Sequence, residues 1–236
     1  MKKIKFIPIS QEFEDFAEVP KPIRLVVPSW YKDMSKSVYK DRGTLLPDFK
    51  PNMTIKTCVP FLDTMVSGYA ITLPCDVEVV QENKYQNRVI WKSNWTPVTA
   101  HSMEQIPEKL VPDGYEKLPL KWENGWIIKV PKGYSVLFSH PFQRLDLPFY
   151  TIPGIVDCDQ HNSAVNFPFL LKKDFIGIIE KGTPVAQFIL FKRETWNSEV
   201  EKYEDNKDFI KKNDNLYLSK ISNFYRNSSW SKKEYN

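Results

Sequence analysis

The chain reads as a mainly antiparallel β protein, a sandwich or barrel, on three observations. Residues 126–193 are a succession of short runs rich in β-branched and aromatic side chains, at 127–130, 134–138, 149–152, 164–171, 175–179 and 185–191. Such side chains suit a pleated, half-buried surface. Each run is bounded by Pro, Gly, Asn or Asp. Pro131-Lys132-Gly133 and Lys181-Gly182-Thr183-Pro184 supply turn chemistry that delivers the chain into strands at Val136 and Val185. No run in this stretch is long enough to make a helix.

Residues 1–53 read as an extended N-terminal arm. One strand is predicted at 3–9, and Pro20, Pro22 and Pro28 then favour extended or polyproline geometry. A brief helix is predicted over 28–34, with Pro28 at its first position. Trp30 and Tyr31 in that helix serve either to anchor the arm on the β core or to contact a partner subunit.

Residues 54–193 form the β domain. Strand alternation predicts segments at 54–58, 70–73 and 76–80, with a short helix or bulged turn at 61–67 before Gly68 and Asp63 capping a local turn. Residues 81–125 read as an insertion. Two candidate strands at 89–91 and 118–122 are expected to pair as a long hairpin, with Pro97, Pro107 and Pro112 in the connection. Trp91, Trp95, Trp122 and Trp126 lie in or beside it, four of the seven tryptophans. A flat, rigid ring buries much area at little entropic cost, so such a group packs a core or anchors an interface. Trp91 and Trp95 are the interface candidates here.

After Arg193 the β alternation stops, and residues 194–236 read as a helical tail. Ser198 with Glu201 three residues on is a capping box that opens a helix through about residue 212. Asn213 or Asp214 is expected to cap a second helix, with Leu218, Ile221 and Tyr225 on one apolar stripe. The final residues read as a peptide anchored by Trp230 and Tyr235. Tyr225 and Trp230 join Trp30, Tyr31, Trp91 and Trp95 as partner-interface candidates.

Composition bounds the function classes. At 236 residues, with 42% hydrophobic and 14% aromatic content, the chain can bury a full core as one large or two small domains. A net charge of +4 is too mild to argue nucleic-acid binding by itself, and the basic residues of the insertion are spread among acids where a base-stacking platform needs them interleaved with its aromatics. The three cysteines, Cys58, Cys75 and Cys158, are too few and scattered for a disulfide framework. They read as thiols of a protein made in a reducing compartment. No window reaches the ~18 apolar residues needed to cross a bilayer, and the basic start is broken by Pro8 and Ser10. A soluble product of the cytoplasm is the expectation.

Four segments carry a resemblance. Ser67-Gly68-Tyr69-Ala70-Ile71, the Pro131-Lys132-Gly133-Tyr134 strand, Gly154-Ile155-Val156-Asp157, and Lys181-Gly182 with Ala186-Gln187 follow one another in the order of the trimeric dUTPase and dCTP deaminase superfamily. The likeness spans about residues 68–193. It implies a β-clip fold, a homotrimer and, in the enzymes, hydrolysis or deamination of deoxynucleoside triphosphates with Mg²⁺. By that resemblance Asp157 would help activate water, Arg144 would meet phosphate, and Gln187 would support the base or the sheet. A fainter likeness to uncharacterised proteins of tailed bacteriophages implies a virus-encoded or virion setting.

The departures from that pattern are specific. Ala70 stands where the family carries a structural aspartate, and Gln160-His161-Asn162 where it carries a tyrosine and a glycine turn. Phe142-Gln143-Arg144-Leu145-Asp146 replaces an arginine-serine-glycine phosphate grip. Asn166-Phe167 occupies the place of the deaminase glutamate, and no glycine follows Gly182. The resemblance therefore implies an inherited fold with lost chemistry, and three readings stay open. One is a non-catalytic assembly protein without cofactor, binding protein partners through arm, insertion and tail. The others are a divergent nucleotide hydrolase or deaminase, and a nucleotide-binding protein without turnover. A metal reading is also weighed. On a strand, Asp157, Asp159 and His161 would share one face near His140, whereas an Asx-stabilised turn over 157–162 would separate them.

Overall fold

The run predicted from residues 185–191 becomes the chain's longest described strand, Pro184–Lys192, and it lies at the centre of the largest sheet. The computed structural model describes residues 2–38, 52–83, 86–219 and 224–235. It is mainly β, with 32% of residues in strands and 23% in helices. In chain order the strands are β1 (Lys5–Pro8), β2 (Lys21–Pro22), β3 (Ser37–Val38), β4 (Asn52–Met53), β5 (Tyr69–Thr72), β6 (Val77–Asn83), β7 (Gln86–Trp91) and β8 (Val98–Ala100). They continue as β9 (Leu120–Trp122), β10 (Trp126–Lys129), β11 (Tyr134–Ser139), β12 (Phe149–Thr151), β13 (Gly154–Val156), β14 (Phe167–Leu171), β15 (Gly177–Ile179) and β16 (Pro184–Lys192). The helices are α1 (Gln11–Phe16), α2 (Ser29–Asp33), α3 (Val59–Val66), α4 (Lys207–Ser219) and α5 (Phe224–Ser228).

The chain divides into two compact units. The larger comprises Met1–Lys32, Thr64–Arg193 and Tyr235–Asn236. Its strands build a five-stranded antiparallel sheet in the order β13-β11-β16-β5-β2, a four-stranded sheet β12-β14-β9-β8, a three-stranded sheet β15-β6-β7 and a ribbon β1-β10. Tyr69, Val136, Phe138 and Phe188 of the first sheet meet Trp122, Phe149, Phe167 and Phe169 of the second and Val77, Val79 and Ile179 of the third in one core. Trp122 stacks on Phe169 with ring centroids 3.8 Å apart and planes within 7°, and Phe149 meets it edge-on at 5.0 Å. Both arrangements add to the area that these rings bury.

The arm is built into this unit. β1 adds to β10, and Ser10 then caps α1, its hydroxyl accepting the Phe13 N–H at 3.2 Å. Helix α1 is absent from the sequence reading because six residues leave no periodicity to detect. It seats Phe13 against Trp95 and Trp126, with centroids at 4.6 and 5.6 Å. A Cβ on Gly125 would come within 2.6 Å of the Phe13 ring, so glycine is needed for the ring to lie there. Helix α2 forms where Pro28 predicted it, and Tyr31 is buried.

The smaller unit is Asp33–Asp63 with Glu194–Glu234. β3 and β4 pair antiparallel in it, and the Lys56 ammonium donates to the Met34 carbonyl at 2.8 Å. Asp63 receives the Trp230 Nε1–H at 2.9 Å and the Lys233 ammonium at 2.6 Å. It therefore holds the tail's end instead of capping a local turn.

Several expectations are corrected. Residues 89–91 and 118–122 do not pair with each other: Val89–Trp91 belong to β7, which pairs with β6, and β9 pairs with β8 and β14. Residues 120–122 instead meet the buried Phe167 and Phe169 of β14, and residues 89–91 the buried Val77 and Val79 of β6. Residues 55–57 form a single 3-10 turn where a strand was expected. Residues 194–202 form no regular secondary structure, and α4 begins at Lys207 and runs unbroken past Asn213 and Asp214. Ile221 lies outside the described residues.

Gly68 has φ +80°, and a Cβ there would stand 2.0 Å from the Phe188 carbonyl oxygen. Both the left-handed backbone and the clash oppose a side chain. Gly68→Ala is expected to lower unfolding free energy by about 2 kcal/mol or more in urea titration. An unchanged midpoint would show that the β5–β16 contact can relax.

Candidate functional site

The register of the five-stranded sheet decides which candidates can meet. On β11, Ser135 faces Phe191 of β16 at one end, and Ser139 faces Gln187 at the other. Four residues of strand span about 13 Å. Asp157 lies at the Ser135 end, just past β13, so Asp157 and Gln187 belong to opposite ends of β11.

Asp157 opens a turn. Its carbonyl accepts the N–H groups of Gln160 and His161, both at 2.9 Å. Its carboxylate takes the Ser135 hydroxyl at 2.5 Å and the Arg193 guanidinium at 3.1 Å. The same guanidinium clasps Asp159 with two bonds, at 2.9 and 2.5 Å, and the Gly133 N–H adds a third at 2.8 Å. The Arg193 pairing, aided by the Gly133 donor, pulls Asp159 down to about 2 from 3.8. Arg193 is itself raised, by Asp159 foremost. His161 is exposed in this turn, so the shared face that a strand would give Asp157, Asp159 and His161 does not form. Among the described residues no group of three or more His, Cys, Asp or Glu side chains gathers to hold a metal ion.

Arg144 follows β11 in a tight turn. Gln143 stands at φ +64°, a left-handed backbone on a non-glycine residue. The Arg144 guanidinium grips Asp146 through Nε at 3.0 Å and Nη2 at 2.9 Å. Burial would raise Asp146, but the Arg144 bonds and charge outweigh it and leave the carboxyl lowered, with a further bond from Trp30. His140 closes the turn. Its Nδ1 accepts the Thr151 N–H at 3.3 Å, which leaves Nε2–H to donate to the Arg144 carbonyl at 2.9 Å. With both ring nitrogens engaged the imidazole is neutral, and burial lowers its pKa.

Gln187 is fully buried and wholly engaged. Its Oε1 accepts the Phe142 N–H at 2.9 Å, and its Nε2 donates to the carbonyls of Thr64 at 2.8 Å and Ser67 at 2.7 Å. Phe149 and Phe167, which would have to withdraw for a pocket to open, are 1% and 2% exposed in the core. Asn166 binds the Asn124 N–H and the Glu123 carboxylate.

The interface candidates divide. Trp30 bonds Asp146, Tyr31 is buried, Trp95 packs on Phe13, and Trp230 bonds Asp63. Tyr225 is exposed. Trp91 is half-buried and forms part of a groove of about 620 Å³ with Phe16, Cys75, Lys92, Ile178 and Lys181. Sequence reasoning missed Ser135, Arg193, Asp146 and Glu123. An arginine closing a strand and two aspartates spaced by two carry no joint signal until the β11–β16 and β11–β13 registers bring them together.

No family model matches the chain, and no curated protein matches it.

Asp159 titrates below its unfolded value, so its contribution is fully present above about pH 4 and is lost as pH falls toward 2. His140, also lowered, contributes above pH 6.5 and loses that contribution as pH falls below it. Stability is therefore expected to fall in two pH windows, one below 6.5 and one from about 4 toward 2. Asp159→Asn should flatten the lower one and His140→Gln the upper, read by melting temperature against pH. Identical profiles for wild type and variants would remove both assignments. Gln187→Leu leaves a buried N–H and two carbonyls unpaired and is expected to cost about 3 kcal/mol in urea titration.

Proposed function

We propose that this chain is a non-catalytic structural protein on a dUTPase-like β-clip scaffold. It assembles as a homo-oligomer, in the trimeric pattern of the family that it resembles, and binds protein partners in a bacteriophage setting. One observation carries the reading: each position that would inherit chemistry is already held within the chain. Asp157 is bonded to Ser135 and Arg193, Arg144 to Asp146, and Gln187 to three backbone groups. A general base needs a free lone pair facing substrate, and a phosphate clamp needs an unpaired guanidinium. No cofactor enters this reading, and Mg²⁺ would be needed only if the chain hydrolysed nucleotides. No helix among the described residues is long and apolar enough to cross a membrane, in keeping with partners in solution.

A second reading, a binding protein without turnover, is favoured by the groove beside Trp91. Its lining joins the Trp91 indole to Lys92 and Lys181 and also to Asp76 and Glu78, so a planar ligand there would meet charges of both signs.

The deciding experiment is pyrophosphate release and thermal shift with deoxynucleoside triphosphates, with and without Mg²⁺, beside the mass in solution. The expected result is an oligomer with neither turnover nor a shift. Turnover abolished by Asp157→Ala would make this a divergent enzyme and overturn the reading, whereas a shift without turnover selects the second. As a structural residue, Asp157→Ala is expected to lose about 1 kcal/mol, roughly 3 °C in melting temperature.

A further inference from the structure

Residues 194–205 carry three large apolar side chains in solvent: Trp196 is 83% exposed, Val200 95% and Tyr203 60%. Yet the segment has helix chemistry. Ser198 and Glu201 make an N-terminal capping pair, and Val200, Tyr203 and Ile210 fall three and seven residues apart on one helical face. Trp196 lies two residues before the cap. A single 3-10 turn, Glu204–Asn206, leads into the α-helix, which nonetheless begins only at Lys207. A short helix is marginal without a surface to bury its stripe. Five carboxylates against one lysine over 194–205 add repulsion, with Glu201 and Asp205 four residues apart.

The opposite chemistry lies on the β1–β10 ribbon. Its register pairs Lys5 with Lys129 and Ile7 with Ile127, while the alternate residues Phe6 and Ile128 turn to the core. Lys3 and Ile9 continue the outer face by strand alternation. Ile7 and Ile9 are exposed, at 43% and 47%. The Lys129 ammonium bonds only neutral oxygens, the His161 carbonyl and Asn162 Oδ1. Lys3, Lys5 and Lys129 make no ion pair with a carboxylate among the described residues. The face is thus an isoleucine strip flanked by uncompensated lysines. A strand from residue 5 to residue 9 extends about 13 Å, close to the length of a helix of some nine residues.

We infer that residues 196–206 are a docking segment that folds into helix, extending α4 backward, when it seats on the lysine–isoleucine face of β1–β10 in a second copy of the chain. Acidic residues meet lysines, and Trp196, Val200 and Tyr203 cover Ile7, Ile9 and Ile127. The contact is heterologous, segment on one copy and ribbon on the next, and closes into a ring when the rotation permits. The inference rests on the assembly reading and names its surface. Ordering the coil draws on the binding energy, so the association is moderate and salt-dependent.

The test is the mass of the full chain by light scattering over a concentration series at 0.05 and ~0.5 M salt, with helical circular dichroism at each concentration. Wild type is expected at a multiple of 27.7 kDa, gaining helix signal as it associates and dissociating at high salt. Val200→Ser with Tyr203→Ala should weaken association at least roughly tenfold and abolish the gain. Lys3→Glu with Lys5→Glu should weaken it likewise, and adding Glu199→Lys with Glu204→Lys, which leave the Ser198–Glu201 cap intact, should restore it. A wild type that stays monomeric throughout overturns the inference, as does an oligomer that ignores the segment variants. That second result leaves the assembly reading standing, whereas nucleotide turnover would remove the reading itself. A charge swap that fails to restore association rejects the β1–β10 face.

Discussion

The buried amide of Gln187 is the interaction on which the larger unit depends. It stands on the central strand of the five-stranded sheet, out of reach of water, and joins three segments far apart in sequence. These are the C-terminus of α3, the entry to β5 and the turn after β11. A carboxylate of the same shape would present no donor to the two carbonyls, and an aliphatic residue would pair with none of the groups. Only an amide has the donors and acceptor in this arrangement. Gly68 follows from it, because the chain that delivers the Ser67 carbonyl to the amide must then pass hard against the Phe188 backbone.

The two arginines that terminate this region act in the same inward sense. Arg193 closes β16 by drawing Asp157, Asp159 and Ser135 together, and Arg144 closes the turn after β11 on Asp146. A guanidinium matches carboxylate geometry well enough that a bidentate pair is a rigid joint. With such joints in place the loops have no need of glycine. The sequence accordingly has Phe142-Gln143-Arg144 and Gln160-His161-Asn162, without glycine, in these two turns.

Much of the fold was legible because strand periodicity is local. The runs after residue 126 appear as β10, β11, β12, β14, β15 and β16, and Pro28 marked α2. Pairing was not legible: residues 89–91 and 118–122 both read as strands, and nothing in either says that they serve different sheets. The tail misled for the converse reason. A capping box and an apolar stripe state what a segment can form, and packing decides whether it does. At the candidate site, Asp157, Arg144 and Gln187 were singled out only by the family resemblance. Their partners could not be, because Arg193 and Ser135 meet Asp157 only through a register spanning 36 and 22 residues.

The position of β16 also sets an order of events during synthesis. β5 pairs with β16 across more than a hundred residues, and β11 lies against the same strand. At ordinary elongation rates of about 5–20 residues per second, β5 waits on the order of ten seconds for that neighbour. Throughout that interval β5 presents an unpaired strand edge, joined by one side of β11 once that strand is made, and Tyr69, Val136 and Phe138 lack the Phe188 ring of their common core. Open edges of this kind recruit other chains. A nascent chain of this topology is therefore most open to pairing with other chains just before its last sheet strand emerges.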